Sequence, residues 1–193
     1  YEFMSWKGNS YSGDVVIPNQ VTYTKDGHTR TYYVRAIGFG AFCNCRDLKS
    51  VVCPSSIEEI SAGAFYNCTS LTSVSLPSQA RYVGDFAFAH CYSLSELKYP
   101  KGVSYIGDST FLRTGSDVES FTLTGAEEVT RITTYGCCGV NMKDLSAFPN
   151  LQYMEYFSFA ASELEVVDFS CIDFKHAKIE ASAFSYCEKI RTV

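Results

Sequence analysis

The sequence has no long apolar run and no concentration of charge of one sign. No stretch approaches the roughly 18 consecutive apolar residues of a membrane-spanning helix, so we expect no membrane insertion within this chain. Lysine and arginine number 16 against 21 aspartates and glutamates, which gives a net charge of −5. Proteins that bind nucleic acids need a basic patch to neutralise phosphates. The composition therefore argues against nucleic acid as a partner.

The sequence also lacks the motifs that carry catalysis or hold a cofactor. It has no Gly-rich phosphate loop and no zinc-protease motif. Its three histidines, His28, His90 and His176, stand near no recognisable nucleophile motif. The Cys-Asn-Cys triplet at 43–45 lacks the paired spacing of a zinc site. We therefore expect a protein that is not an enzyme and that binds no cofactor or metal.

What the sequence does contain is a repeat of about 23 residues. The first four units open at Ile37, Ile60, Val83 and Ile106, and each has a phenylalanine five residues later. In the first three units a cysteine follows eight residues after the opening. Looser units open at Ile132, Met154 and Ile179, and Cys137 takes the phenylalanine position in the fifth. Periods of 20–29 residues are typical of leucine-rich-repeat solenoids.

Each unit also contains a pattern typical of a strand. In "LTSVSLP", Leu71, Val74 and Leu76 are predicted to face inward, and Pro77 ends the strand because proline has no N–H to donate. The Gly-Ala-Phe segments are interpreted as tight helical or 3₁₀ turns that insert a phenylalanine from the opposite side. We therefore predict an α/β fold, a right-handed leucine-rich-repeat solenoid of about seven units over residues 37–193. In the fourth unit the inward residues are predicted to be Val118, Phe121 and Leu123.

Residues 1–36 are predicted to cap this solenoid. "GDVVIP" follows the strand pattern, and the next segment is interpreted as a β-hairpin around Asp26-Gly27, a pair that favours positive φ. Such a hairpin would cover the apolar face of the first unit. The chain starts at Tyr1 without an apolar leader and ends at Val193 inside a unit, so we expect it to be part of a longer protein.

The nine cysteines fall into two groups. One group shares a single repeat position beside the core leucines, which favours a ladder of buried free thiols. Its members are Cys45, Cys68, Cys91 and Cys187. The other group is irregular, and a single disulfide within it stays open: Cys43, Cys53, Cys137, Cys138 and Cys171.

With these positions aligned, the sequence resembles the BspA-like leucine-rich-repeat family. The pattern I-G-x-x-A-F-x-x-C-x-x-L-x-x-V-x-I-P-x-x-V is matched by residues 37–123 and more loosely by 154–193, whereas 124–153 departs from it. "SGDVVIPNQVTY" also resembles the start of such proteins. The resemblance implies a secreted or surface-anchored protein of host-associated bacteria or protist parasites. It is linked with adhesion and host contact, and no shared catalytic residue comes with it.

Two surfaces are candidates for binding a ligand. The first is the outward side of the predicted concave sheet, which carries Ser73, Ser75, Glu96, Lys98, Ser120 and Thr122. The second is a predicted stripe of tyrosines, each directly before a unit opening: Tyr82, Tyr105 and Tyr153. Each surface has a plainer interpretation, a solvated sheet for the first and packing between turns for the second.

We therefore predict a non-catalytic extracytoplasmic interaction or adhesion module. It would bind a host or bacterial surface protein or a glycan through one of these surfaces. The alternative is a passive structural spacer that displays another domain of a longer surface protein.

Overall fold

The fold is a β-solenoid, seen in a computed structural model that describes residues 11–170, 172 and 175–192. Within these residues the chain makes about six turns and contains no helix. The prediction of a repeat solenoid is confirmed, whereas the α/β class is wrong because the fold is mostly β. The strands are β1 (Gly13–Val16), β2 (Gln20–Lys25), β3 (His28–Tyr33), β4 (Ala36–Ile37), β5 (Leu48–Val52), β6 (Glu59–Ile60), β7 (Ser73–Ser75), β8 (Tyr82–Val83), β9 (Glu96–Lys98), β10 (Tyr105–Ile106), β11 (Thr122–Thr124), β12 (Arg131–Ile132), β13 (Tyr153–Met154) and β14 (Lys178–Ile179).

One row of two-residue strands carries the first apolar residue of each unit. These strands pair in parallel, so that Ile60 lies between Ile37 and Val83. The register predicted for the unit openings is confirmed. Further along the coil the same row aligns Ile106, Ile132, Met154 and Ile179.

A second row of longer strands runs along another side of each turn. Here β1, β5 and β7 form one parallel sheet, and β9 and β11 form another. Val51 pairs with Val74, and Leu97 pairs with Leu123, and all four side chains are buried. Their neighbours along β7, β9 and β11 are exposed. One face of this row therefore packs on the core and the other faces solvent.

A seam crosses both rows near the third unit. Among the described residues, β7 and β9 belong to different hydrogen-bonded sheets, and so do β8 and β10. Side chains form part of the connection instead. The Asp108 amide donates to Asp85 Oδ1 at 3.0 Å, and the Ser93 hydroxyl donates to the Thr69 carbonyl at 2.8 Å.

The Gly-Ala-Phe segments form turns whose amides alternate between two kinds of acceptor. The amides of Ala41 and Cys43 donate to carbonyls three residues back, whereas the amide of Phe42 donates to the Ala64 carbonyl of the next unit at 2.8 Å. A helix would direct all of these amides within its own segment. The alternation continues as far as Phe159, so a ladder of turns joins the units along this side of the coil.

Left-handed backbone explains why these turns do not become helices. The first six turns each have two residues with positive φ four positions apart, such as Gly40 and Asn44 at 58° and 60°. A left-handed residue interrupts a right-handed helix. The position of Asn44 is filled in later turns by Asn67, His90, Arg113, Gly139, Ala161 and Tyr186, all with positive φ.

The core beneath the turns is built around stacked phenylalanine rings. Phe42, Phe65, Phe88 and Phe111 are buried, with neighbouring ring centroids 5.2, 5.2 and 5.8 Å apart and tilted by at most 12°. The stack is interrupted at Cys137. It resumes with Phe159 and Phe184, whose centroids lie 5.6 Å apart.

The cysteine position next to this stack is a hydrogen-bonding position. Cys68 Sγ donates to the Phe42 carbonyl at 3.0 Å, and Cys91 Sγ donates to the Phe65 carbonyl at 3.2 Å. Thr114 replaces cysteine in the fourth unit and donates to the Phe88 carbonyl at 2.9 Å. The eight cysteines within the described residues are free thiols, and Cys171 lies outside these residues. Of the predicted ladder, Cys45, Cys68 and Cys91 are buried and Cys187 is half-buried.

The fourth unit departs from the predicted strand register. Leu97 pairs with Leu123, so the prediction that Phe121 is its counterpart is wrong, and Val118 is half-buried. The extra residues of this unit fall before β11. They fit because Gly115 has a φ of 70°, and a Cβ there would lie 2.7 Å from Phe121 Cβ.

At the start of the chain, β1 extends the longer strand row by pairing with β5. The predicted hairpin is confirmed as β2 and β3, with Asp26 and Gly27 at φ of 52° and 75°. All twelve residues of its strands are exposed. Residues 1–10 lie outside the described residues, so a cap over 1–36 and its separation from 37–193 stay predictions.

Candidate ligand-binding surfaces

A groove of about 360 Å³ crosses the exposed face of the longer strands. We call it the strand groove. Buried Val51, Val74 and Leu97 form its floor from the core side, and the outward side chains form its surface. These outward residues are Ser50, Val52, Ser73, Ser75, Glu96, Lys98, Thr122 and Thr124.

The strand groove is a hydrogen-bonding surface with one charge of each sign. Most of its outward side chains are serine or threonine, whose hydroxyls both donate and accept. Glu96 and Lys98 lie two residues apart on β9 and so point to the same side. Beside the groove, Ser50 Oγ donates to Asp14 Oδ1 at 2.6 Å.

The structure brings together five of the six strand residues predicted from the sequence to form a binding surface. Ser73, Ser75, Glu96, Lys98 and Thr122 all line the groove. A role for them in binding stays a prediction.

Ser120 does not join them, because the register of the fourth unit differs from the predicted one. It lies in a neighbouring hollow of about 140 Å³ that also contains Met142 and Lys143. Thr124, which the sequence analysis missed, takes the place beside Lys98. The sequence does contain a signal for this register: Thr-Leu-Thr at 122–124 has the same polar-leucine-polar pattern as Glu-Leu-Lys at 96–98.

The predicted tyrosine stripe is divided into a pair and a single residue. Tyr82 and Tyr105 lie next to each other, and their hydroxyls interact electrostatically. Arg131 stands between Tyr105 and Tyr153 in the row of short strands. Its guanidinium carbon lies 4.9 Å from the centroid of the Tyr153 ring, within range of a cation–π contact. It also forms an ion pair of 3.4 Å with Glu155.

The paired tyrosines remain protonated donors at neutral pH. Burial raises the pKa of the Tyr82 hydroxyl, and the carboxylates of Asp85 and Glu59 raise it further. Burial likewise raises the pKa of Tyr105, and the neighbouring Tyr82 adds to the effect. The pair can therefore donate hydrogen bonds to a ligand, and the Tyr82 side chain is exposed to do so.

The adjacent His90 and Cys91 do not form a nucleophile and base. Cys91 Sγ is buried and bound to a backbone carbonyl, and burial raises its pKa to about 12. The His90 ring instead contacts the Tyr92 hydroxyl at 3.1 Å. Burial and then the Arg113 charge lower the pKa of His90. A thiolate is the reactive form of cysteine, so this pair lacks the nucleophile.

Two further kinds of site are absent from residues 11–170, 172 and 175–192. Within them no three His, Cys, Asp or Glu side chains gather as a metal site would require. The same residues include no helix with the length and apolarity to span a bilayer.

Comparisons with known proteins agree with this architecture. The family described as BspA type leucine rich repeat region matches residues 29–135 and 114–193, in six copies. No match was found among curated proteins.

Two solved structures share this fold, and a third is a weaker match. The pneumococcal vaccine antigen PcpA has a TM-score of 0.64 at 17% identity, over 86% of this chain and 42% of that one. A leucine rich cell surface protein from Faecalibacterium prausnitzii A2-165 has a TM-score of 0.57 at 24% identity, over 94% and 47%. A leucine-rich repeat protein from Bacteroides ovatus has a TM-score of 0.49 at 20% identity, over 93% and 64%.

The chain therefore spans 42 to 64% of the length of these three structures. At these identities PcpA and the Faecalibacterium prausnitzii protein show the fold alone. The family match covers most of the chain. The chain thus belongs to the BspA type leucine-rich-repeat family, whose repeat proteins are generally non-catalytic.

Proposed function

We propose that this chain is a non-catalytic extracytoplasmic interaction module that binds a host or bacterial surface protein or glycan. The strand groove carries the proposal, because it is an open polar surface built from equivalent positions of successive units. Repeat proteins commonly bind ligands across such extended faces. The names of similar structures, a cell surface protein and a vaccine antigen, support an extracytoplasmic setting.

The groove favours an extended ligand that crosses the strands. Five strands at about 4.8 Å spacing give a path of roughly 20 Å from β1 to β11. Exposed Val16 and Val52 offer apolar contact at one end. Glu96 and Lys98 offer opposite charges further along, which would fix the direction of a polar ligand. Ser73 and Ser75 between them leave room for its backbone or sugar ring.

The proposal keeps the finer architecture predicted from the sequence. The coil would be right-handed with about seven units, residues 1–36 would cap it, and 37–193 would form the solenoid. Tyr82, Tyr105 and Tyr153 remain candidates for a second contact region, now with Arg131 among them. The alternative is a passive spacer, which is favoured by the mixed charge of the groove and by the lack of aromatic side chains among its lining residues.

A bulky side chain in the groove tests the proposal. Ser75→Trp should abolish binding to whichever member of a panel of immobilised extracellular-matrix proteins and glycans the wild type binds. Tryptophan suits an exposed strand position, so the fold should persist. Ser78→Trp, an exposed turn residue of the same unit, is the matched control and should bind normally.

Charge and ring variants separate the two candidate regions. Glu96→Gln with Lys98→Gln should weaken binding through the groove, whereas the triple change of Tyr82, Tyr105 and Tyr153 to Ala should act only if the tyrosines contribute. Binding that survives all of these variants would overturn both surfaces. A wild type that binds nothing on the panel would favour the spacer.

A further inference from the structure

The hairpin formed by β2 and β3 is an arm that packs little on the rest of the molecule. All twelve strand residues are exposed. Within the described residues, the hydrogen bonds of the two strands stay inside the hairpin, as between Thr24 Oγ1 and Thr29 Oγ1 at 2.8 Å. A two-stranded hairpin is marginally stable in water by itself. Its exposed rings therefore call for an explanation other than core packing.

The two faces of the arm differ in chemistry. Residues directly opposite each other on paired strands share a face, and the faces alternate along each strand. One face carries four threonines with Gln20 and Tyr33. The other face combines apolar, aromatic and cationic side chains: Val21, Tyr23, Lys25, His28, Arg30 and Tyr32.

That second face holds a hollow. Its volume is about 340 Å³, at the small end of the range for ligand sites. The rings of Tyr23 and Tyr32 form its apolar part and are 58% and 48% exposed. Lys25 and Arg30 supply cations, and the Asp26 carboxylate at the turn supplies an acceptor.

The charge of the arm indicates the charge of its ligand. Lys25 and Arg30 outnumber Asp26 here, in a chain whose net charge is −5. An acidic ligand is therefore attracted to the arm and repelled by the remainder of the molecule.

The size of the arm argues against a folded protein as the ligand. Six residues per strand span about 20 Å, and two strands are roughly 10 Å wide, which leaves a face of about 200 Å². A stable protein interface buries about 800 Å² on each partner. A flat, narrow face with two exposed tyrosine rings suits a chain of sugar rings better. Asp26 can also accept hydrogen bonds from sugar hydroxyls.

We propose that this face of the hairpin binds an acidic oligosaccharide, one that carries carboxylate or sulfate groups. Tyr23 and Tyr32 stack against the sugar rings, Lys25 and Arg30 pair with the acidic groups, and Asp26 accepts from a hydroxyl. The site goes beyond the proposed strand groove and does not depend on it.

Calorimetric titration with three tetrasaccharide probes tests the proposal. An oligogalacturonate should bind, or a sulfated heparin fragment should bind, and the two probes tell which acidic group is preferred. A neutral galactose oligomer should not bind. Binding should weaken as salt is raised. Lys25→Gln with Arg30→Gln should weaken it about tenfold, since two exposed charge contacts are lost.

Matched variants separate this site from charge alone and from the strand groove. Lys49→Gln with Lys101→Gln removes the same charge from exposed positions elsewhere and should leave binding within about twofold. Tyr23→Ala should weaken binding even though it keeps every charge. Ser75→Trp, which blocks the strand groove, should have no effect on it.

Three results would overturn the proposal. The first is no binding of either acidic probe at millimolar concentration. The second is unchanged binding by the Lys25 and Arg30 variant, with hydrogen exchange showing the hairpin intact. The third is equal binding of the neutral oligomer. If instead an extended acidic peptide bound and both acidic probes did not, the arm would be a protein-binding site and the glycan assignment would be wrong.

Discussion

Residues 37–114 and residues 115–153 build the same coil with different side chains. The first region keeps a phenylalanine and a hydrogen-bonding side chain in every turn, and its rings form an unbroken stack. In the second, Cys137 and Val140 take those two positions. In the second region, all of whose residues are described, the structure has no long strand between β12 and β13.

The turn ladder nevertheless passes through both regions. The Phe111 amide donates to the Gly136 carbonyl at 2.8 Å, and the Cys137 amide donates to the Ser158 carbonyl at 2.7 Å. Backbone hydrogen bonds therefore carry the repeat from unit to unit, while the side chains beneath them can vary. Because the second region lacks a phenylalanine in its turn, another large apolar side chain must fill its core.

Phe148 fills part of this core volume. It stands where Pro54, Pro77 and Pro100 stand in earlier units and is 1% exposed. Its ring lies 6.1 Å from that of Phe159, edge to face. The ring missing from the turn side is thus partly replaced from the strand side.

Phe88→Ala should produce the largest loss of stability. The side chain is fully buried between rings 5.2 and 5.8 Å away, so its removal should lower the free energy of unfolding by about 4 kcal/mol. Urea unfolding measures this. Tyr135→Ala is the control, because Tyr135 also stacks on a ring, at 5.3 Å from Phe157, but is 41% exposed. Equal losses from the two variants would show that core stacking is not the cause.

Alkaline pH should destabilise the first region through its buried thiols. Burial raises the pKa of Cys91 from 9.0 to about 12. The unfolded thiol ionises above pH 9 while the folded one stays protonated, so the stabilisation is complete below pH 9 and is lost between pH 9 and 12. By pH 11 this one thiol should cost about 3 kcal/mol.

Urea unfolding of wild type and Cys91→Ala at pH 8 and pH 11 measures this effect. The variant should be less stable at pH 8 but should lose less stability between the two pH values. Parallel losses in the two proteins would contradict the assignment to Cys91. Reductant should change neither curve, because the eight described thiols are free.

Cys137→Phe should test whether the second region has room for a ring. Cys137 is fully buried, and overpacking a filled site should cost about 2 kcal/mol. If Phe148 replaces the missing ring, adding Phe148→Leu should cost less in this background than in wild type. A double-mutant cycle measures the coupling. A single variant as stable as wild type would show that the fifth unit is loosely packed.

Thr114→Val should have the smallest effect. It removes the donor to the Phe88 carbonyl, which keeps the Cys91 amide as a partner at 3.2 Å, so a loss of about 1 kcal/mol is expected. Val140→Thr is the reciprocal change in the second region. It offers a donor where the chain now has none and should alter stability by less than about 0.5 kcal/mol.

The features that are predicted best from the sequence are those formed by apolar residues that recur at the same position of each unit. Ile37, Ile60 and Val83 gave the row of short strands, and Phe65 and Phe88 gave the buried stack. Both features consist of buried side chains, and an apolar residue type that recurs with the repeat directly indicates a buried position.

Of the two alternatives predicted for the Gly-Ala-Phe segments, the helical one is wrong, because residue type says little about the left-handed backbone that prevents a helix. Asn44 suits a left-handed position, but His90, Arg113 and Tyr186 occupy the same position and give no such signal. Ser120 was misplaced for a related reason. An insertion shifts the register by whole residues, and alternation with period two cannot show where the insertion lies.

For the candidate site, most outward residues are predictable from the sequence, whereas their side-chain neighbours are not. The Tyr82–Tyr105 pair follows from unit spacing, whereas the contact of Arg131 with Tyr153 depends on side-chain direction. The hairpin arm shows the same limit. Its turn was readable from Asp26-Gly27, but its separation from the core was not.

The seam near the third unit has a mechanical consequence. A solenoid pulled along its axis loads the bonds between successive turns in series, so it yields first where those bonds are fewest. At the seam the turn ladder and side-chain hydrogen bonds, such as those of Asp85 and Ser93, hold neighbouring units in place of strand pairing. The coil should therefore open there under force, in steps of one unit, each releasing about 23 residues or roughly 75 Å of extended chain. Force spectroscopy would resolve such steps, and a single all-or-none rupture would show that the seam is no weaker than the rest.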